Sequence, residues 1–160
     1  MATRKKKVQI DAITLLKTDH KKVKVLLETL DNTNSPGRRT KLFEQIALEV
    51  KAHARVEEEI FYPAFKRKAE DSEQYQMFFE ANEEHGLVDI MLPKIRASKP
   101  ESDEFAARAK VLKDIVLHHA KEEEQEMFKA AKSLFDKDEL KSLGDQMQRR
   151  KREILRELKA

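Results

Sequence analysis

Apolar residues return every third or fourth position through four long segments of this 160-residue chain, a period that suits helices and little else. The segments run over about 11–30, 38–69, 73–97 and from Ser102 or Asp103 to about 134. Between them lie Asp31-Asn32-Thr33-Asn34-Ser35-Pro36-Gly37, which reads as a loop, Asp71-Ser72, which offers a cap, and Ser98-Lys99-Pro100. With 3 Gly and 4 Pro the chain cannot punctuate the turns of an all-β fold. The expectation is an all-α chain: an antiparallel up-down-up-down four-helix bundle built from two similar helical hairpins, plus a C-terminal amphipathic helix. Pro63 and Pro93 fall inside the second and third segments, where each predicts a kink or a break.

Three regions follow: a basic N-terminal tail over 1–10, the bundle over 11–134 and a helical extension over 135–160. The extension carries Leu140, Leu143, Met147, Ile154 and Leu158 on a sparse stripe that could dock on the bundle, pair with a second copy or stay free. The net charge of +3 comes from the two ends, Arg4 to Lys7 and Arg149 to Arg152, and such runs ordinarily serve as solvated tails. No broad basic face with a recognition helix is visible, so neither a specific nucleic-acid partner nor a membrane is expected, and a cytoplasmic location is. With no Cys, thiolate sites and thiol nucleophiles are excluded, and any metal is held by nitrogen and oxygen.

The stripes contain polar intruders. The walk gives Ile13, Leu16, His20, Val23 and Leu27 in the first helix, and Val50, His53, Glu57, Ile60 and Ala64 in the second. The third gives Ala81, His85, Val88 and Leu92, and the fourth Val116, His119, Glu123, Met127 and Ala130. Each helix therefore sends one histidine inward, and two add a glutamate one turn later. His20 lies 16 residues before Pro36 and His53 lies 17 after it, while His85 lies 15 before Pro100 and His119 lies 19 after. The second mismatch corresponds to roughly 6 Å at 1.5 Å per residue, small enough to leave all four histidines near one level. His20 to His53 spans 33 residues and His85 to His119 spans 34, so the halves read as a duplicated hairpin contributing His and then His-x-x-x-Glu.

A buried, unpaired carboxylate costs several kcal/mol, and neither glutamate has a lysine or arginine beside it on its stripe. Cations are the simplest compensation. Four imidazoles and two carboxylates suit two ions, each taking two histidines with Glu57 and Glu123 bridging, and the mixed donor set suits iron or manganese.

His20, His53-x-x-x-Glu57, His85 and His119-x-x-x-Glu123 together resemble the hemerythrin-like (HHE cation-binding) domain family over roughly residues 11–134. The resemblance implies a four-helix bundle around a non-haem di-iron centre with a bridging oxygen, which binds dioxygen or related small species. It makes His20, His53, His85 and His119 terminal ligands and Glu57 and Glu123 bridging carboxylates. Oxygen-carrying hemerythrins have a further histidine one turn past the helix-three ligand and an aspartate on the last helix, where this chain has Asp89 and Glu123. That departure removes the five-histidine asymmetry of the oxygen carriers. Asp89 is expected at the surface rather than in the metal shell. His118 points about 100° away from His119, and Tyr62 is expected mainly to pack.

Two functions compete. One is binding of dioxygen, nitric oxide or iron itself for sensing, storage or scavenging. The other is a di-iron oxidase or peroxidase acting on peroxide, nitric oxide or dioxygen. A metal-free helical interaction module, with self-association through the C-terminal helix, is the third alternative.

Overall fold

The computed structural model describes residues 9–160, and the basic segment holding Arg4 to Lys7 lies outside the described residues. Helix α1 (Ala12–Asp31) starts at Asp11, whose carboxylate accepts the Thr14 backbone N–H at 2.8 Å. Helix α2 (Pro36–Val56) begins two residues earlier than periodicity suggests, because Pro36 occupies a first-turn position where its fixed φ and missing N–H cost nothing. A π-helical turn, Glu57–Phe61, carries the chain directly into α3 (Tyr62–Lys68). Helix α4 (Ser72–Ala97) is capped by Asp71, and α5 (Asp103–Glu122) by Ser102. A second π-helical turn, Glu123–Met127, leads into α6 (Phe128–Leu134), and α7 (Lys137–Lys159) opens on a capping box of Asp136 and Glu139. No strand occurs among the described residues.

The π turns alter the expected face. Each begins at a core glutamate: the Tyr62 N–H reaches the Glu57 carbonyl and the Phe128 N–H reaches that of Glu123, a five-residue step. The extra residue turns the downstream helix by roughly 100°, so Phe61 and Ala131 are fully buried where the plain walk picks Ile60 and Ala130, which are half-buried. Pro63 accompanies the first π turn, but the second has no proline. Pro93 produces no break, since α4 continues to Ala97.

Helix α1 packs against α2, α5 and α7, and α4 against α5. One apolar cluster gathers Leu16, Phe61, Phe65, Phe128 and Met147, and another gathers Leu27, Ile46, Leu92 and Leu112. On α1, α2, α4 and α5 the histidine level lies between the two clusters.

Helix α7 docks on α1 and α2, burying Leu140, Met147 and Ile154 and half-burying Leu143 and Leu158. Gly144 crosses the start of α1 so closely that a Cβ would overlap the Ile10 carbonyl oxygen. The basic run at 149–152 is therefore not a solvated tail. Arg150 pairs with Glu59 at 2.6 Å, and Lys151 is folded inward, because the docked helix turns these positions onto acidic neighbours. No described helix is long and apolar enough to cross a membrane.

Candidate metal centre

All six residues singled out by their spacing meet in one buried layer. The Nε2 atoms of His53 and His85 lie 3.0 and 3.2 Å from Glu57 Oε1. Those of His20 and His119 lie 3.1 and 3.2 Å from the two carboxylate oxygens of Glu123. Ligand atoms of Glu57, His85, His119 and Glu123 fall within 4.8 Å of one another, as do those of His20, His53 and Glu123. The unequal loop counts leave no trace, since the His20–His53 and His85–His119 ring centres are 5.0 and 4.9 Å apart.

Each imidazole turns its other nitrogen to an outer carboxylate. His53 Nδ1 lies 2.9 Å from Asp19, His119 Nδ1 2.9 Å from Glu84, His85 Nδ1 3.2 Å from Glu58 and His20 Nδ1 3.4 Å from Glu124. The pattern repeats between halves: the acid preceding one histidine serves the next helix's histidine, and the acid following each core glutamate serves the remaining one. A ring that gives its Nδ1 hydrogen outward presents Nε2 to the centre. These four acids escape a search for residues on the core-facing stripes, because they sit one position off them and reach across to neighbouring helices.

Tyr62 does more than pack. It is fully buried, its hydroxyl donates to Glu123, and the same oxygen lies 3.1 Å from His85 Nε2 and 3.3 Å from His119 Nε2. The first π turn aims it there, since it follows directly. Asp89 is exposed and belongs to neither buried group of ligand atoms, although it lines the cavity beside the histidines, and His118 is 63% exposed, 3.1 Å from Glu122.

Burial and the neighbouring carboxylates act in opposite directions on the histidines of this layer. Burial opposes charge on His53, but the adjacent Glu57 carboxylate and the hydrogen bond to Asp19 prevail, raising its pKa to about 10. Against the same penalty, His85 is raised to about 9 by the adjacent Glu57 carboxylate and its hydrogen bond to Glu58. Burial likewise opposes charge on His119, which the adjacent Glu123 carboxylate and its hydrogen bond to Glu84 raise to about 11. Burial pushes Glu123 up, yet His119 and His20 hold it well below the ordinary carboxylate range. Burial and the two glutamate charges push the Tyr62 phenol well above its usual value.

The donor set fits metal ions. His20 Nδ1 and Nε2, His53 Nε2, both Glu57 oxygens and Glu123 Oε1 are buried, and although imidazoles and carboxylates approach within 3.0–3.4 Å here, none of these atoms has a partner in hydrogen-bond geometry, a concentration of unsatisfied polar atoms that folded proteins avoid. Among the described residues no lysine or arginine lies within ion-pair distance of Glu57 or Glu123. The arrangement offers two places for a cation, one among Glu57, His85, His119 and Glu123 and one among His20, His53 and Glu123, so that Glu123 is common to both.

A cavity of about 50 Å³ adjoins the four imidazoles. Val23, Val50, Val88 and Val116, one from each of four helices and each three residues from its histidine, line it. The centre thus has an apolar antechamber.

The chain is 28% identical over 144 residues to a DNA nickase of Nostoc sp. (strain PCC 7120), a match that spans 90% of this chain and 40% of that relative's length. Its fold is similar, with a TM-score of 0.79 and 24% identity, to the crystal structure of a hemerythrin HHE cation-binding domain-containing protein, the Rv2633c homolog from Mycobacterium kansasii. That likeness covers 91% of this chain and 88% of the other. The family model of the hemerythrin HHE cation-binding domain matches residues 11–131, a span that contains all six core ligand-type residues and all four outer carboxylates. On these grounds the chain belongs to the hemerythrin HHE cation-binding domain family.

Proposed function

We propose that this chain is a non-haem di-iron protein that binds a small diatomic molecule, dioxygen or nitric oxide, or holds iron itself, for sensing, storage or scavenging. The reading takes the helices as an antiparallel four-helix bundle, which the short α1–α2 and α4–α5 connections support. His20 and His53 would hold one ion, His85 and His119 the other, and Glu57 and Glu123 would bridge them. The observation that carries this is the cluster of buried, unpartnered nitrogen and oxygen atoms at Glu57, Glu123, His20 and His53, which no lysine or arginine neutralises. Iron is favoured over zinc because carboxylate makes up a third of the donor residues and no thiolate is available.

Bound iron would supply reversible redox change and affinity for small oxygen- or nitrogen-containing ligands. The chain's own contribution is to orient the imidazoles through their outer carboxylates and to line the approach with valines. A 50 Å³ apolar space favours a small uncharged molecule over an ion.

Tyr62 favours a second reading, a peroxide- or dioxygen-consuming oxidoreductase. Its hydroxyl donates a hydrogen bond to Glu123 beside one ion position, and a fixed hydrogen-bond donor there would orient a bound oxygen species during such turnover. Steady-state assays of the iron-loaded protein with hydrogen peroxide separate the two. A single stoichiometric reaction supports binding, whereas sustained turnover that Tyr62→Phe abolishes supports the enzyme. Protein that takes up no stoichiometric iron overturns both.

A further inference from the structure

Each half of the centre has an acid preceding its first histidine, Asp19 in one and Glu84 in the other, and α7 touches only the first. Lys151 Nζ lies 2.6 Å from Asp19 Oδ1, and the other oxygen of Asp19 lies 2.9 Å from His53 Nδ1. The lysine is also 3.6 Å from Glu49, which Lys22 holds at 2.6 Å from the far side. Its side chain is 17% exposed and that of Asp19 9%, so this is an inward-facing chain of contacts rather than a surface pair. Glu84, the counterpart of Asp19, has no lysine or arginine within 4.0 Å among the described residues and meets the exposed His118 at 3.9 Å instead. Helix α7 begins beyond the segment that the family model matches.

We infer that the C-terminal helix is part of the metal centre, with Lys151 a positioning residue that fixes Asp19 and through it the His53 ring. The inference rests on the di-iron reading above. One ammonium group holds one carboxylate oxygen, which leaves the other free to fix the imidazole with Nε2 turned inward. Ion retention at the His20 and His53 position therefore depends on α7, and retention at the His85 and His119 position does not. Without Lys151, Asp19 loses the contact that holds its rotamer, and His53 loses its orientation. Changes in such outer partners typically weaken metal binding by about 10- to 100-fold.

The test uses the full chain loaded anaerobically with ferrous iron and challenged with a ferrous chelator. Wild type should release two equivalents slowly. Lys151→Met should release one of them about 10-fold faster or more while the second keeps its wild-type rate, and Lys151→Arg should restore slow release. Arg150→Gln, which removes the neighbouring α7 contact to Glu59, should leave both rates unchanged. Equal release from Lys151→Met and wild type overturns the role of Lys151 while leaving the di-iron reading intact. Acceleration of both equivalents, or the same effect from Arg150→Gln, overturns it as well, since a loosened α7 would then be the cause. Wild type that holds no iron overturns the di-iron reading and this inference with it.

Discussion

Tyr62 and Phe128 stand at equivalent places in the two halves of the chain, each five residues beyond a core glutamate and each directly after a π-helical turn. The Tyr62 hydroxyl donates to Glu123, while the Phe128 ring stacks on His20, with centres 5.8 Å apart and planes 7° from parallel. The two halves thus match in their imidazoles and core carboxylates and differ in this phenol. Tyr62→Phe makes the halves match. The variant should fold and take up iron, with metal-free stability lower by about 1.5–3 kcal/mol for a lost hydrogen bond to a charged group. Urea unfolding checks this, and unchanged stability would mean that the hydroxyl contributes nothing to the metal-free core.

The histidines set a pH dependence of known sign. His85, His53 and His119 have pKa values of about 9, 10 and 11 in the folded metal-free chain, above the roughly 6.5 of an unfolded histidine. Groups raised in this way bind protons more tightly when folded. Their stabilisation is complete below about pH 6.5 and is lost as the pH climbs through the folded values. Glu123, held low, acts in the opposite sense and loses its contribution in acid. Melting temperature of the metal-free protein should therefore fall between pH 7 and pH 10, and iron loading should remove that fall. An alkaline rise in the metal-free protein contradicts these raised pKa values.

Contact between Gly144 and the start of α1 leaves no room for a side chain. Gly144→Val must push α7 away from Ile10 to Ala12, at a cost of about 1–3 kcal/mol by analogy with overpacked cores. Thermal unfolding should show the loss. Stability equal to wild type would show that the crossing is looser than these contacts require.

Filling the antechamber should slow ligand entry without removing metal. Val88→Phe places a larger ring in the 50 Å³ cavity. Iron content should stay at the wild-type level, stability should fall by about 1–3 kcal/mol, and association of nitric oxide with the iron-loaded protein should slow. Stopped-flow rates equal to wild type would place the entry route elsewhere.

The helices, their caps at Asp71 and Ser102, and the convergence of all six core residues were legible because periodicity reports directly which side of a helix faces inward. Three features were not. The shift from Ile60 to Phe61 depends on a π turn, and the second such turn has no proline to announce it. Asp19 and Glu84 lie one residue before their own helix's histidine and bond to a histidine on another helix, so only the packing of helices reveals the pairing. Lys151 is 132 residues from Asp19, inside a basic run of the kind that usually stays in solvent. Tyr62 was visible as a neighbour of Glu57 in sequence, but the extra residue of the π turn is what carries its hydroxyl to Glu123.

Anaerobic titration of the metal-free chain with ferrous iron near pH 7, following iron uptake and proton release together, decides whether Glu57, Glu123 and the four histidines hold two iron ions. Two equivalents should bind per chain with release of protons from His53, His85 and His119, and that uptake should be lost in Glu57→Gln and Glu123→Gln. Uptake that is absent, or that survives both substitutions, would contradict this assignment.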